Sequence, residues 1–90
     1  MSQLSTAVPL WSLRPGESSE VLGFSAALPE RYQGRVMEFG FQPGNRVSCL
    51  LSPAFGAPRV YRISNSVFSL DRNVAEHVLV AASGVTETLP

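Results

Sequence analysis

Chain-reversing residues recur so closely along this sequence that only short elements can form. Pro15-Gly16, Gly40, Pro43-Gly44, the prolines and glycine of "SPAFGAP", and the "SNS" around Asn65 each stop or turn the backbone. Proline fixes φ, while glycine and asparagine tolerate left-handed conformations. Several runs between these stops carry strand period. "EVLGF" sets Leu22 and Phe24 on one side against Val21 and Gly23 on the other. "NRVSCLLS" alternates Val47, Cys49 and Leu51 against Arg46, Ser48 and Leu50, which predicts a strand with one buried face. "RVYRI" and "VFSL" predict the two arms of a hairpin, with Asn65 at the turn tolerating a left-handed conformation, and "VLVA" predicts a last strand.

One segment changes period. In "ALPERYQGRVMEFGF", at about 100° per residue, Leu28, Tyr32, Val36 and Phe39 share a face while Glu30, Gln33, Gly34 and Met37 point away. Pro29 suits the first helical turn and Gly40 the position after the last. Gly34 is a weak point in such a helix and predicts close packing against another element. Asp71 reads as the N-cap of a short helix, "RNVAEH".

These elements predict a mainly β fold: a small SH3-like β-barrel of about five strands, with an α-helix inserted after the first strand and a short helix before the last. Five short strands must curl to share one core, and closure protects their edges. The chain has 90 residues, enough for one domain. That domain is expected over 9–82, with 1–8 and 83–90 as flexible tails.

Charge narrows the function classes. Seven arginines and lysines balance seven aspartates and glutamates, which leaves no electrostatic footprint for nucleic acid or anionic lipid. No run of about 18 apolar residues could cross a bilayer, and no signal peptide is evident. With the single cysteine this predicts a cytoplasmic protein that is not inserted in a membrane. Cys49 and His77 are the sole cysteine and histidine, far apart and in no paired motif, so neither a metal site nor a cofactor is expected. Cys49 reads as a core residue and His77 as the end of the short helix. No nucleophile, base and acid grouping and no phosphate loop can be assembled, so an enzyme is not expected.

The segments "LRPGESSEVLGF", "YQGRVMEFGFQPGNRV" and "SPAFGAPRVYRISNSVFSLDRNVAEHVLV" together resemble the FeoA family, over roughly Leu13 to Val80. Phe39 and Phe41 flank Gly40 where that family usually has methionine and leucine, and "SLDR" stands for its more usual "SLR". The resemblance implies a small accessory protein of bacterial ferrous-iron transport that binds the cytoplasmic part of the FeoB-type iron permease. The same module also occurs at the C-terminus of iron- and manganese-dependent repressors, behind a DNA-binding domain.

A contact surface is expected around Phe55, at the tip of "SPAFGAP", where no strand or helix period forces the ring inward. Arg59 and Tyr61 on the next strand, and Met37 on the outer face of the helix, are expected to extend it. Two other readings follow from the residues. Arg59, Arg62, Tyr61 and Phe68 mix basic and aromatic character, as an RNA- or ribosome-associated barrel would, although the neutral charge and the inward strand positions oppose this. Exposed edge strands could also make the chain a self-associating homo-oligomer.

Overall fold

The computed structural model describes residues 7–82. Strands β1 (Ala7–Pro9), β2 (Ser18–Phe24), β3 (Arg46–Leu51), β4 (Arg59–Ile63), β5 (Ser66–Leu70) and β6 (Val78–Ala81) form one antiparallel sheet in the order β1-β6-β2-β3-β4-β5. Helix α1 (Glu30–Phe39) lies between β2 and β3, and the short α2 (Arg72–Ala75) between β5 and β6. The mainly β architecture and the two helical segments agree with the periodicity. The strand count, the place of the first helix and the closure do not: α1 follows the second strand, not the first. Among the described residues there are six strands, and their sheet stays open, with β1 and β5 at its edges.

The sixth strand comes from residues expected to be a tail. Ala7 and Val8 pair with Ala81 and Val80, and a 3₁₀ turn over Leu10–Ser12 follows. Two residues before a proline carry no period of their own, so only β6 makes them a strand. The rest of both expected tails, 1–6 and 83–90, lies outside the described residues.

β2 holds the sheet together by dividing its length between two neighbours. Ser18 to Glu20 pair with β3, and Val21, Gly23 and Phe24 pair with β6 across a bulge between Val21 and Gly23 that leaves Leu22 without a partner residue in the register. Extra residues of this kind bend a strand and increase its twist. The bulge also shifts the alternation. Val21 is buried and Leu22 is exposed, whereas Phe24 packs against the core. Buried Ser19 is satisfied by donating to the Ala81 carbonyl at 2.5 Å.

The core is made by Leu10, Leu13, Val21, Val36, Phe41, Val47, Cys49, Tyr61, Ile63, Leu70, Ala75, Val78 and Val80. Cys49 sits there as expected, and burial pushes its thiol up, with Glu17 adding and Arg59 opposing. Leu51 leaves the core at a second bulge and is 58% exposed.

Helix α1 begins after Pro29 and ends at Gly40, whose φ of 116° lets its N–H reach the Met37 and Val36 carbonyls. Asn45 Nδ2 then donates to the Gly40 carbonyl at 2.7 Å. A turn closed by Asn45 N–H on the Gln42 carbonyl carries Pro43 and Gly44 at its centre, and Gly44 has φ 96°. Proline followed by a left-handed glycine is what a type II turn requires. Leu28 and Val36 are buried and Phe39 stacks on Phe68 at 4.4 Å, but Tyr32 is exposed. Gly34 has open space where a side chain would stand, so no neighbour accounts for it.

Asp71 occupies the N-cap of α2, although its side chain makes no capping bond; its carbonyl accepts from Val74 and Ala75. His77 follows the helix, with its carbonyl accepting from Ser25 N–H and its ring 3.9 Å from Glu76.

Candidate interaction surface

The loop from Ser52 to Pro58 leaves the bulged end of β3 and enters β4 at Arg59. Its tip is a turn in which Ala57 N–H donates to the Ala54 carbonyl at 3.4 Å. Both central residues are left-handed, Phe55 at φ 63° and Gly56 at φ 73°. That pattern favours asparagine followed by glycine. A bulky residue there costs about 1–2 kcal/mol of local conformational energy. The ring recovers nothing from the fold, because Phe55 is completely exposed (104%). Exposed Leu51 stands at the base of the same loop.

The other residues expected to join Phe55 are placed elsewhere. Tyr61 is fully buried, with its hydroxyl directed at the Leu10 carbonyl, 3.5 Å away. It faces inward because β4 alternates, and Arg62 takes the outer position. Burial, reinforced by Cys49 and opposed by Arg59, pushes its hydroxyl up to about 12. Tyr61 therefore holds the core and presents no contact surface.

Arg59 is half-buried and committed to the protein. Its guanidinium lies over the Trp11 ring, 4.0 Å from the centroid, and Nη1 donates to the Trp11 carbonyl. Its Nε is buried with no hydrogen-bond partner among the described residues. Arg59 thus fastens the segment after β1 to the start of β4. Nothing in the sequence signals a pairing between residues so far apart.

Met37 is exposed, as expected, but at the other end of β4. The C-terminus of α1 meets Ile63 and Ser64: a Cβ on Gly40 would come 3.3 Å from Ser64 Oγ and 3.6 Å from Ile63. Phe55 precedes Arg59 at the opposite end. The strand between these ends is about 13 Å long, so Met37 and Phe55 do not form one patch.

The sequence did not reveal a cleft of about 440 Å³ between the start of α1 and α2, lined by Leu28, Tyr32, Asp71, Asn73, Glu76 and His77 among others. It forms where two helices from distant parts of the chain meet, and it mixes apolar and ionisable groups. Among the described residues no three His, Cys, Asp or Glu side chains converge as metal ligands, and no helix is long and apolar enough to cross a membrane.

A family model described as the FeoA domain matches residues 8–82. No curated protein sequence matches the chain. Among solved structures, the iron uptake regulatory protein FeoA superposes with a TM-score of 0.74 at 21% identity, covering 84% of this chain and 97% of that one. FeoA from Stenotrophomonas maltophilia complexed with zinc has a TM-score of 0.69 at 22% identity, covering 87% and 89%. It is described as an SH3 domain protein and a candidate activating factor of ferrous iron transport. A manganese-dependent transcriptional repressor has a TM-score of 0.78 at 20% identity, but this chain spans only 44% of it while 90% of this chain is covered. At these identities the superpositions establish the shared fold.

Proposed function

The chain belongs to the FeoA family, and on that premise we propose that it is an accessory module of ferrous-iron uptake that docks on the cytoplasmic part of a FeoB-type permease and acts by binding alone. The observation that carries the docking is Phe55: a fully exposed aromatic ring held in a left-handed turn. Backbone strain that the fold does not use points to function. Aromatic side chains that fill a partner's pocket dominate binding energies. Leu51 extends the apolar surface at the loop base.

An RNA-binding role has lost its cluster. Arg59 is held on Trp11, Tyr61 is buried, and the formal net charge is zero. Titration of the labelled chain with the permease's cytoplasmic region, and separately with RNA at several salt concentrations, tests the reading. Saturable binding to the permease region is expected. Salt-sensitive RNA binding with no response to the permease would overturn it.

A further inference from the structure

The two edges of the sheet are defended differently. β1 has three residues, ends in Pro9 and turns at once into a 3₁₀ turn, all devices that keep an edge from pairing. β5 reads "SVFSL", with no charge, no proline and no bulge in its pairing with β4, and the chain contains no lysine to guard it. Among the described residues, no backbone hydrogen bond outside the β4 ladder involves Ser66 to Leu70.

The register identifies the free groups. Ser64-Asn65 is a two-residue turn, so Ile63 and Ser66 form its hydrogen-bonded closing pair, and alternation makes Tyr61 with Phe68 the next such pair. The neighbouring strand agrees. Cys49, opposite Tyr61, spends its N–H on Glu17 and its carbonyl on Gly16, which leaves Tyr61 to bond β5. Val67 and Ser69 therefore direct their N–H and C=O groups outward: two donors and two acceptors, symmetric about Phe68.

We propose that β5 is a self-pairing edge, at which two copies of this chain join antiparallel about a twofold axis at Phe68. Val67 of one copy then meets Ser69 of the other, and each pair exchanges two hydrogen bonds. Phe68 faces its own copy in a non-hydrogen-bonded pair, where side chains approach most closely. The half-buried stack of Phe39 on Phe68 would be covered on its open side. The same register sets Asp71 against Asn65, so no like charges oppose each other at the ends. Arg62, beside Val67 on β4, lies about 14 Å across the sheet from the equivalent strand of the copy, beyond the screening length at physiological salt. Identical edges suit a closed twofold pair, the commonest oligomer symmetry.

Sedimentation velocity and amide exchange on the whole chain, over a range of concentrations, test this pairing. The 9.7 kDa species should shift toward twice that mass. The Val67 and Ser69 amides should exchange freely in dilute solution and become protected as concentration rises, whereas Phe68 stays protected throughout. Val67→Lys places a guard on the edge, and Ser69→Pro removes an outward N–H that the β4 ladder does not use. Each should weaken pairing about tenfold or more, with unchanged far-UV circular dichroism, while Ala7→Lys on the other edge should not. A chain that stays monomeric, protection of Val67 and Ser69 that ignores concentration, or a dimer indifferent to both folded β5 variants would each overturn the proposal. Permease titration of the Val67→Lys monomer keeps this outcome separate from the docking role of Phe55.

Discussion

β4 is flanked by two left-handed residues that are not glycine, Phe55 before it and Ser64 after it, at φ 63° and 55°. At Ser64 the fold uses the unusual backbone. The two-residue turn fixes the β4–β5 register, and its side chain sits against Gly40, where α1 ends. At Phe55 the fold uses nothing. The ring touches no core, and the turn only joins two strand ends that a looser loop could also join. Similar local strain is therefore structural at one end of the strand and unexplained by structure at the other, and this difference is what supports the proposal that Phe55 serves an outside partner.

The strand between them should respond to substitution through stability alone, and most strongly. Tyr61→Ala empties a fully buried aromatic site and should cost about 3–5 kcal/mol in denaturant unfolding. That is a large part of the stability of any small domain. A mild loss would mean that the ring is not in the core.

Alkaline pH acts on the same side chain without mutation. The folded chain holds the Tyr61 proton up to about pH 12, whereas the unfolded chain releases it near pH 10. Protons are then bound more by the folded state, so stability is complete below about pH 10 and is lost as pH rises toward 12, by about 2 kcal/mol. Buried Cys49, also raised, should start the decline slightly earlier. Tyr61→Phe should remove most of the slope above pH 10. A slope that survives this substitution would place the titrating group elsewhere.

The two flanking positions should then separate. Phe55→Asn suits the left-handed turn, so unfolding should be unchanged or slightly harder. Affinity for the permease region should fall by about 2 kcal/mol, the loss of an aromatic anchor. Ser64→Val puts a branched side chain into a left-handed position and should cost about 1–2 kcal/mol of stability while leaving that affinity intact. Both effects appearing on stability, or both on binding, would erase the distinction between the two turns.

Legibility in the sequence follows the range of the interactions. Gly40, Pro43-Gly44 and the alternation of β3 and β4 depend on local backbone geometry and could be read directly. β1 could not, because β6 alone makes it a strand. The need to protect edges predicts a closed barrel, whereas among the described residues both edges are open. In the β4–β5 hairpin the left-handed residue is Ser64, not Asn65, although asparagine is the residue type that better tolerates that conformation. At the candidate site, only an absence of period pointed to Phe55, and it pointed correctly to exposure. Arg59 and Tyr61 follow Phe55 closely in sequence, but one alternating strand and the distant Trp11 turned them inward.

The smallest expected effect bears on whether Met37 belongs to the working surface. Gly34 lies one helical turn before Met37 on the outer side of α1, with nothing within 4 Å of an added Cβ. Its backbone is helical, so Gly34→Ala removes conformational freedom from the unfolded chain without a clash, and should stabilise the fold by about 0.5–1 kcal/mol. If the partner reaches only the Phe55 end of β4, affinity should not change. If affinity falls while stability rises, the partner's backbone comes close to Gly34. The outer face of α1 would then be a second contact, separated from Phe55 by the length of β4, and Gly34 would have the close neighbour that the isolated chain does not provide.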